Sequence, residues 1–334
     1  MGQGLHIKCA QAAAHAFGIL LCSVYIDDTS TDNIANTNPT AASQGTDLYG
    51  MATLNACFEI LENIKPIREK MGPDATLAEI ATAAFFERID LTAHGFFKLA
   101  DDRCGYDWDA PKPTDPELLK LPDNSFRGHA FNYFTQGVAV SEVEIDVLTG
   151  NHRNLRSDVM MDVGSSINPA IDIGQIEGAF VQGIGWCTLE EVTWGDQEHT
   201  WVQPPGRLFT QGPGTYKIPA FNDCPETFNI TLMDTENPFA VHSSRAVGEP
   251  PFFLGATIAF AIKDAIRATR TSELESCKSS VPPSIFRMNF PVTSERIRML
   301  CCDTICQEGI NHDSENMSGV GIERVLNYHP KGSY

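Results

Sequence analysis

The chain has 334 residues, of which 42% are apolar and 20% are charged. This composition is typical of a globular protein and excludes the disordered, collagen-like and small disulfide-framework classes. The 24 Lys and Arg residues against 43 Asp and Glu residues give a net charge of -19, and a field of that sign repels phosphate backbones and anionic lipid. We therefore expect neither nucleic acid nor a membrane among the partners.

The first third of the chain is predicted to be mainly helical. Apolar residues recur at helical spacing in three segments, which span residues 4–17, 47–71 and 77–88. Gly18 ends the first of these helices, and Thr46 or Asp47 is placed to cap the second. Between them, a short strand is predicted over residues 23–27, and a long polar loop over residues 28–46.

The rest of the chain mixes strands with helices. A hairpin is predicted from strands over residues 133–148 and 155–163, joined by the turn Thr149-Gly150-Asn151. Later predicted elements are a helix at 168–189, a polar surface segment at 194–207, a strand at 226–233, a helix at 251–269 and a short helix at 294–302. Because strands and helices do not alternate regularly, the pattern favours the α+β class over a doubly wound sheet.

The segment 101–126 is rich in Pro and Asp and is the best candidate for a linker. It divides the chain into predicted segments 1–126 and 127–306, followed by a polar tail over 307–334 that is expected to be mobile. The ten cysteines are scattered without a CxxC pair, so we expect them to be reduced core residues. Reduced cysteines favour a cytoplasmic location, with the peroxisome as the alternative.

Four segments place glycine or other small residues beside one polar side chain where a helix is predicted to start. They are Met1-Gly2-Gln3-Gly4, Pro39-Thr40-Ala41-Ala42-Ser43, Gly174-Gln175-Ile176-Glu177-Gly178 and Gly248-Glu249-Pro250-Pro251. Glycine lets a ligand approach the backbone closely, and helix N-termini favour anionic oxygens. Each segment alone is also an ordinary turn before a helix, and Thr40 and Ser43 can be capping hydroxyls. Together the segments predict an anion cradle, without the motifs of the common nucleotide sites.

Glu249 is the carboxylate of greatest interest. It lies between Gly248 and two prolines, at the start of a predicted apolar helix. The helix dipole there favours the ionised carboxylate, while apolar surroundings oppose it. Two roles remain open from the residues alone, namely a general base and an N-terminal helix cap.

The cradle segments belong to longer motifs that follow one another along residues 1–300. They are MGQGLH at 1–6, PTAAS at 39–43, TDLYG at 46–50, YFTQGVAVSEVEIDVLTG at 133–150, MDVGSSINPAIDIGQIEGAFVQGIG at 161–185, GPGTYKIPAF at 212–221 and AVGEPPFFLGA at 246–256. In this order they resemble the C-terminal part of the molybdenum hydroxylases, the family of xanthine dehydrogenase and aldehyde oxidase. The resemblance implies the second half of a molybdopterin-binding domain, with 1–126 as its first segment and 127–306 as the segment that carries the catalytic glutamate.

The resemblance also implies a molybdenum ion held by the dithiolene of a pterin cofactor rather than by protein side chains. Residues matching the cofactor-binding motifs are Gly2, Gln3, Gly4, Thr40, Ala41, Ala42, Ser43, Gln175 and Gly248. Glu249 matches the glutamate that deprotonates the metal-bound hydroxyl in the family. The activated oxygen then attacks an electron-poor ring carbon while a hydride passes to the sulfido ligand.

By the same resemblance, the substrate is a purine such as hypoxanthine or xanthine, with an aldehyde as the alternative, and the family enzyme is a homodimer. Its FAD and 2Fe-2S clusters, and another half of the molybdenum domain, lie ahead of the matching segment. Met1 coincides with the methionine of the family's MGQG motif, so we expect a fragment of a longer enzyme, inactive alone. A non-catalytic remnant or interaction subunit is the alternative.

Overall fold

The computed structural model describes residues 2–100, 103, 105–111, 114–119, 127–276, 286–303 and 305–306. Its helices are α1 (Leu5–Phe17), α2 (Gly45–Met71), α3 (Leu77–Phe86), α4 (Pro116–Leu119), α5 (Pro169–Thr188), α6 (Ala256–Ser276) and α7 (Ser294–Cys301). Its strands are β1 (Gly105–Tyr106), β2 (Gly128–His129), β3 (Gly137–Ile145), β4 (His152–Asp162) and β5 (Thr227–Met233). Helices combined with two small sheets confirm the predicted α+β class.

The described residues form two compact units that interleave along the sequence. The first unit draws on residues 1–136, 162–175 and 232–249, and the second on 137–161, 176–231 and 250–334. The predicted segments 1–126 and 127–306 follow a different division, which stays a prediction. The predicted linker 101–126 lies partly, and the tail 307–334 wholly, outside the described residues.

Helix packing builds the first unit. Gly4 and Gly18, both in the left-handed region, bound α1, and its Ala12 packs with Leu54 of α2 and with Val241. The far end of α2 packs on α3, which begins with a capping box between Thr76 and Glu79.

The second unit combines a three-stranded sheet of order β3-β4-β5 with helices. The hairpin is confirmed, because β3 and β4 pair antiparallel from Gly137 opposite Met161 to Ile145 opposite His152. Helix α6 packs on β3 and α7 packs on α6. Phe180, Ile258 and Ile262 are fully buried in this unit, and such burial contributes about 1.5–3 kcal/mol for each large apolar side chain.

Three local predictions are wrong. Residues 24–27 pair with no other described strand, and Tyr25 is 87% exposed, so the predicted strand at 23–27 has no sheet to join. Helix α2 starts at Gly45 with Gln44 as its N-cap, which puts Asp47 inside the first turn instead of at the cap. The prolines at 250 and 251 begin a short 3-10 helix (Pro250–Gly255), and the α-helix starts only at Ala256.

Within the described ranges, no helix is both long and apolar enough to cross a membrane.

Candidate functional site

One cavity in the first unit, of about 270 Å³, brings together most of the predicted cradle residues. Those that line it are Gln3, Thr40, Ala41, Ala42, Ser43, Gln175, Gly248 and Glu249. Four separate stretches of sequence thus meet at one place, as the cradle hypothesis requires. Gly2 and Gly4 do not line the cavity.

Gly4 shapes the turn that presents Gln3. Its φ is 76°, and a Cβ atom added there would lie 2.5 Å from Cδ1 of Ile171. Both the left-handed backbone and the contact with α5 therefore require glycine. Gly2, with a φ of 84°, is exposed and has open space around it, so these two glycines form the turn while Gln3 provides the side chain.

The loop before α2 carries backbone strain at the cavity. Ala42 and Ser43 both have left-handed conformations, with φ of 53° and 54°, which non-glycine residues rarely adopt. Residues held in such conformations cluster at ligand-binding and catalytic sites. The strain at this loop agrees with the cradle hypothesis.

Ser43 holds Glu249 at two points. Its Oγ donates to Oε2 of Glu249 at 2.7 Å and accepts from the Glu249 backbone N–H at 2.8 Å. A Cβ atom on Gly248 would lie 3.0 Å from the same Oγ. A larger residue there would therefore push against Ser43 and disturb its two hydrogen bonds with Glu249, which we call the Ser43–Glu249 clasp. Within the described part of the chain, Oε1 of Glu249 has no hydrogen-bond partner, and the side chain is exposed.

This geometry changes the expected surroundings of Glu249. The residue precedes a six-residue 3-10 helix instead of a long apolar helix, and the described partner of its carboxylate is Ser43 rather than a backbone N–H of the next turn. This contact argues against the helix-cap role, and the general-base role stays a prediction.

Two ion pairs at the cavity wall, one of them buried, were missed by sequence reasoning. Lys8 of α1 pairs with Asp172 of α5 at 2.5 Å, and Asp172 also accepts a hydrogen bond from Ser166. Arg245 pairs with Asp162 at 3.0 Å. Lys8 lies one turn before Ala12 on a buried face of α1, and a lysine on an apolar helical face is the signal that would have marked it.

A third polar contact links α2 to the loop that carries Glu249. The Tyr133 hydroxyl donates to Oδ2 of Asp47 at 2.6 Å and accepts from the Ala246 backbone N–H at 2.9 Å. Burial raises the pKa of Asp47 to about 6, against the opposing effects of the Tyr133 hydrogen bond and the Lys8 charge. Burial first, and then the Asp47 charge, raise the pKa of Tyr133 well above its usual range.

The described residues contain no group of three or more His, Cys, Asp or Glu side chains that could hold a metal ion. The polar groups of the predicted cradle are instead amides, hydroxyls and one carboxylate. Such a set suits an organic ligand with several hydrogen-bonding atoms.

Comparison with known proteins agrees with this chemistry. The model of the molybdopterin cofactor-binding domain family matches residues 1–225. Xanthine dehydrogenase of Oryza sativa subsp. japonica is 49% identical over 309 residues, covering 92% of this chain and 21% of the relative. Xanthine dehydrogenase of Dictyostelium discoideum is 49% identical over 304 residues, covering 91% and 20%. The chain thus spans about a fifth of the length of these relatives.

Solved structures show the same fold at lower identity. Quinoline 2-oxidoreductase from Pseudomonas putida 86 superposes with a TM-score of 0.66 at 22% identity, covering 90% of this chain and 35% of that one. Aldehyde oxidoreductase from Desulfovibrio gigas gives a TM-score of 0.65 at 22% identity, covering 90% and 28%. With the family match over residues 1–225, the chain belongs to the molybdopterin cofactor-binding domain family.

Proposed function

We propose that the chain is part of a molybdenum-cofactor-dependent hydroxylase that oxidises a purine such as hypoxanthine or xanthine. The observation that carries the proposal is the clasp of Ser43 on Glu249 at a cavity that also contains Gln3 and Gln175. Relatives named xanthine dehydrogenase, 49% identical over most of the chain, favour the purine over an aldehyde.

The residues present fit a pterin cofactor with its phosphate. Gln3, Thr40, Ser43 and Gln175 bring amide and hydroxyl groups to one cavity, and these groups match the donors and acceptors of a pterin ring. A side chain on Gly248 would meet Ser43, so glycine keeps that wall open for a close approach.

The bound cofactor supplies the redox and oxygen-transfer chemistry. The task of this chain is then to hold a proton acceptor in a fixed place. Ser43 engages Oε2 of Glu249 and its backbone N–H, which leaves Oε1 as the oxygen that takes the proton. With one oxygen already bonded, the carboxylate is oriented before the substrate arrives.

The remaining four fifths of the relatives' length are proposed to supply the other half of the cofactor site and the FAD and 2Fe-2S modules. In this proposal the complete enzyme is a cytoplasmic homodimer. If the chain were a non-catalytic remnant or an interaction subunit, the strained loop and the hydrogen bonds between Ser43 and Glu249 would have no catalytic function to serve.

A chimera tests the function. This chain replaces the matching 309 residues of the rice relative, and molybdenum content and oxidation of xanthine and of an aromatic aldehyde are measured beside the rice parent. We expect a cofactor-loaded chimera whose kcat/KM for xanthine lies within about tenfold of that of the rice parent. A cofactor-loaded chimera that oxidises the aldehyde better, or neither substrate, would contradict the proposal.

A further inference from the structure

We propose that Tyr133 is a positioning residue, which fixes the loop of residues 245–249 by joining the Ala246 backbone to the Asp47 carboxylate. The inference deepens the proposed function, because that loop carries Glu249. It rests on contacts other than the two hydrogen bonds between Ser43 and Glu249.

The start of α2 holds this loop at two separated points. Ser43, two residues before the helix, bonds the Glu249 backbone N–H at 2.8 Å. Asp47, in the first turn, reaches the Ala246 N–H through the Tyr133 hydroxyl, over contacts of 2.6 and 2.9 Å. Two anchors three residues apart define both the position and the direction of the short segment between them.

Both hydrogen-bonding functions of the Tyr133 hydroxyl are used. It donates to a carboxylate and accepts from a backbone amide, so its orientation is determined by both partners. Its ring also lies 5.8 Å from the guanidinium carbon of Arg245. A residue that only filled space would need the ring and not the hydroxyl.

The residue before Ala246 is independently fixed. The Arg245 side chain donates to the backbone oxygens of Phe134 at 2.7 Å and Glu236 at 3.0 Å, and it pairs with Asp162. These contacts fix the start of the loop, and Tyr133 and Ser43 act on residues 246–249. Loss of the Tyr133 hydroxyl is expected to release this segment while Arg245 stays in place.

Hydrogen exchange of single backbone amides in the 334-residue chain tests the proposal directly. In Tyr133→Phe, which keeps the ring, the Ala246 amide should exchange at least about tenfold faster, because it loses its acceptor. Tyr216→Phe is the matched control, since Tyr216 also donates to a carboxylate, that of Glu190, in the second unit. Asp47→Asn keeps an acceptor for the Tyr133 hydroxyl and should leave the Ala246 rate within about threefold of the parent.

Exchange at Ala246 within about twofold of the parent in Tyr133→Phe would overturn the proposal, as would an equal acceleration in Tyr216→Phe. If Tyr133→Phe does not fold, Asp47→Ala carries the test, because it keeps the tyrosine and removes the carboxylate that orients its hydroxyl. At least about threefold faster Ala246 exchange is then expected, and an unchanged rate would refute the positioning role.

In the rice chimera, Tyr133→Phe should lower kcat by about tenfold with molybdenum content and KM for xanthine unchanged. An unchanged kcat, or a loss of molybdenum in proportion to activity, would contradict positioning. If the unmutated chimera carries cofactor but no purine activity, the proposed function fails while the exchange result still decides the role of Tyr133.

Discussion

Ionised Asp47 is expected to lower the stability of the fold, which is unusual for an aspartate. Burial raises its pKa to about 6, even though the Tyr133 hydrogen bond and the Lys8 charge oppose the rise. In an unfolded chain the value is about 3.9. Between these two values the folded state binds more protons than the unfolded state, so the free energy of unfolding falls as pH rises.

The size of this effect follows from the shift. A difference of about two pKa units corresponds to about 3 kcal/mol, since each unit is worth about 1.4 kcal/mol. The carboxyl's contribution is fully present below about pH 4 and is lost as pH rises through about 6. Asparagine is neutral at every pH and nearly the same shape. Asp47→Asn should therefore match the parent near pH 4 and exceed its free energy of unfolding by up to about 3 kcal/mol at pH 7.

Urea unfolding of the 334-residue chain, at half-unit steps from pH 4 to 7.5, measures this difference. The control is Glu79→Gln, because Thr76 lowers the pKa of Glu79 through backbone and side-chain hydrogen bonds. Its carboxylate favours the fold above its unfolded pKa, so the control should move in the opposite direction as pH rises. An Asp47→Asn advantage that is constant with pH, or that shrinks toward pH 7, would refute the reasoning.

Three other changes test the site. In the rice chimera, Glu249→Gln should keep the cofactor but lower turnover by several orders of magnitude, because an amide cannot take the proton; activity within about tenfold of the parent would exclude the base role. The 334-residue chain alone should neither retain molybdenum nor oxidise purines, and metal analysis that finds stoichiometric molybdenum, with sustained xanthine-dependent dye reduction, would show this to be wrong. Lys8→Met should lower the free energy of unfolding by about 3–5 kcal/mol, because it leaves Asp172 buried without its cation. Lys70→Met, at an exposed ion pair, should change the free energy of unfolding little. Equal effects of the two substitutions in urea titrations would contradict the buried-pair argument.

Local patterns in the sequence predict the elements of the fold well where a local signal exists. Helix α1 has glycines at both ends, and the β3–β4 hairpin has a Thr-Gly-Asn turn between two apolar runs. Errors occur where the formation of an element depends on residues that are distant in the sequence. Residues 23–27 have strand-forming side chains but no described strand to pair with.

In the candidate site, too, local signals could be recognised from the sequence and long-range contacts could not. Its glycine-rich and small-residue segments could be recognised singly, and the order of the motifs joined them. The contacts that organise the site could not be read in this way, because their partners are far apart in sequence. Lys8 and Asp172 are separated by 164 positions, Asp47 and Tyr133 by 86, and Ser43 and Glu249 by 206.

Three energetic costs of this unit lie around the start of α2. Ala42 and Ser43 have strained backbones just before the helix, and Asp47 is a buried carboxylate in its first turn. A segment under selection for stability alone would replace these features, since asparagine at 47 would remove the charge and glycine at 42 or 43 would relieve the backbone. All three features instead lie beside the contacts that hold residues 246–249. The proposed role of Glu249 gives these features a reason that the stability of the fold does not.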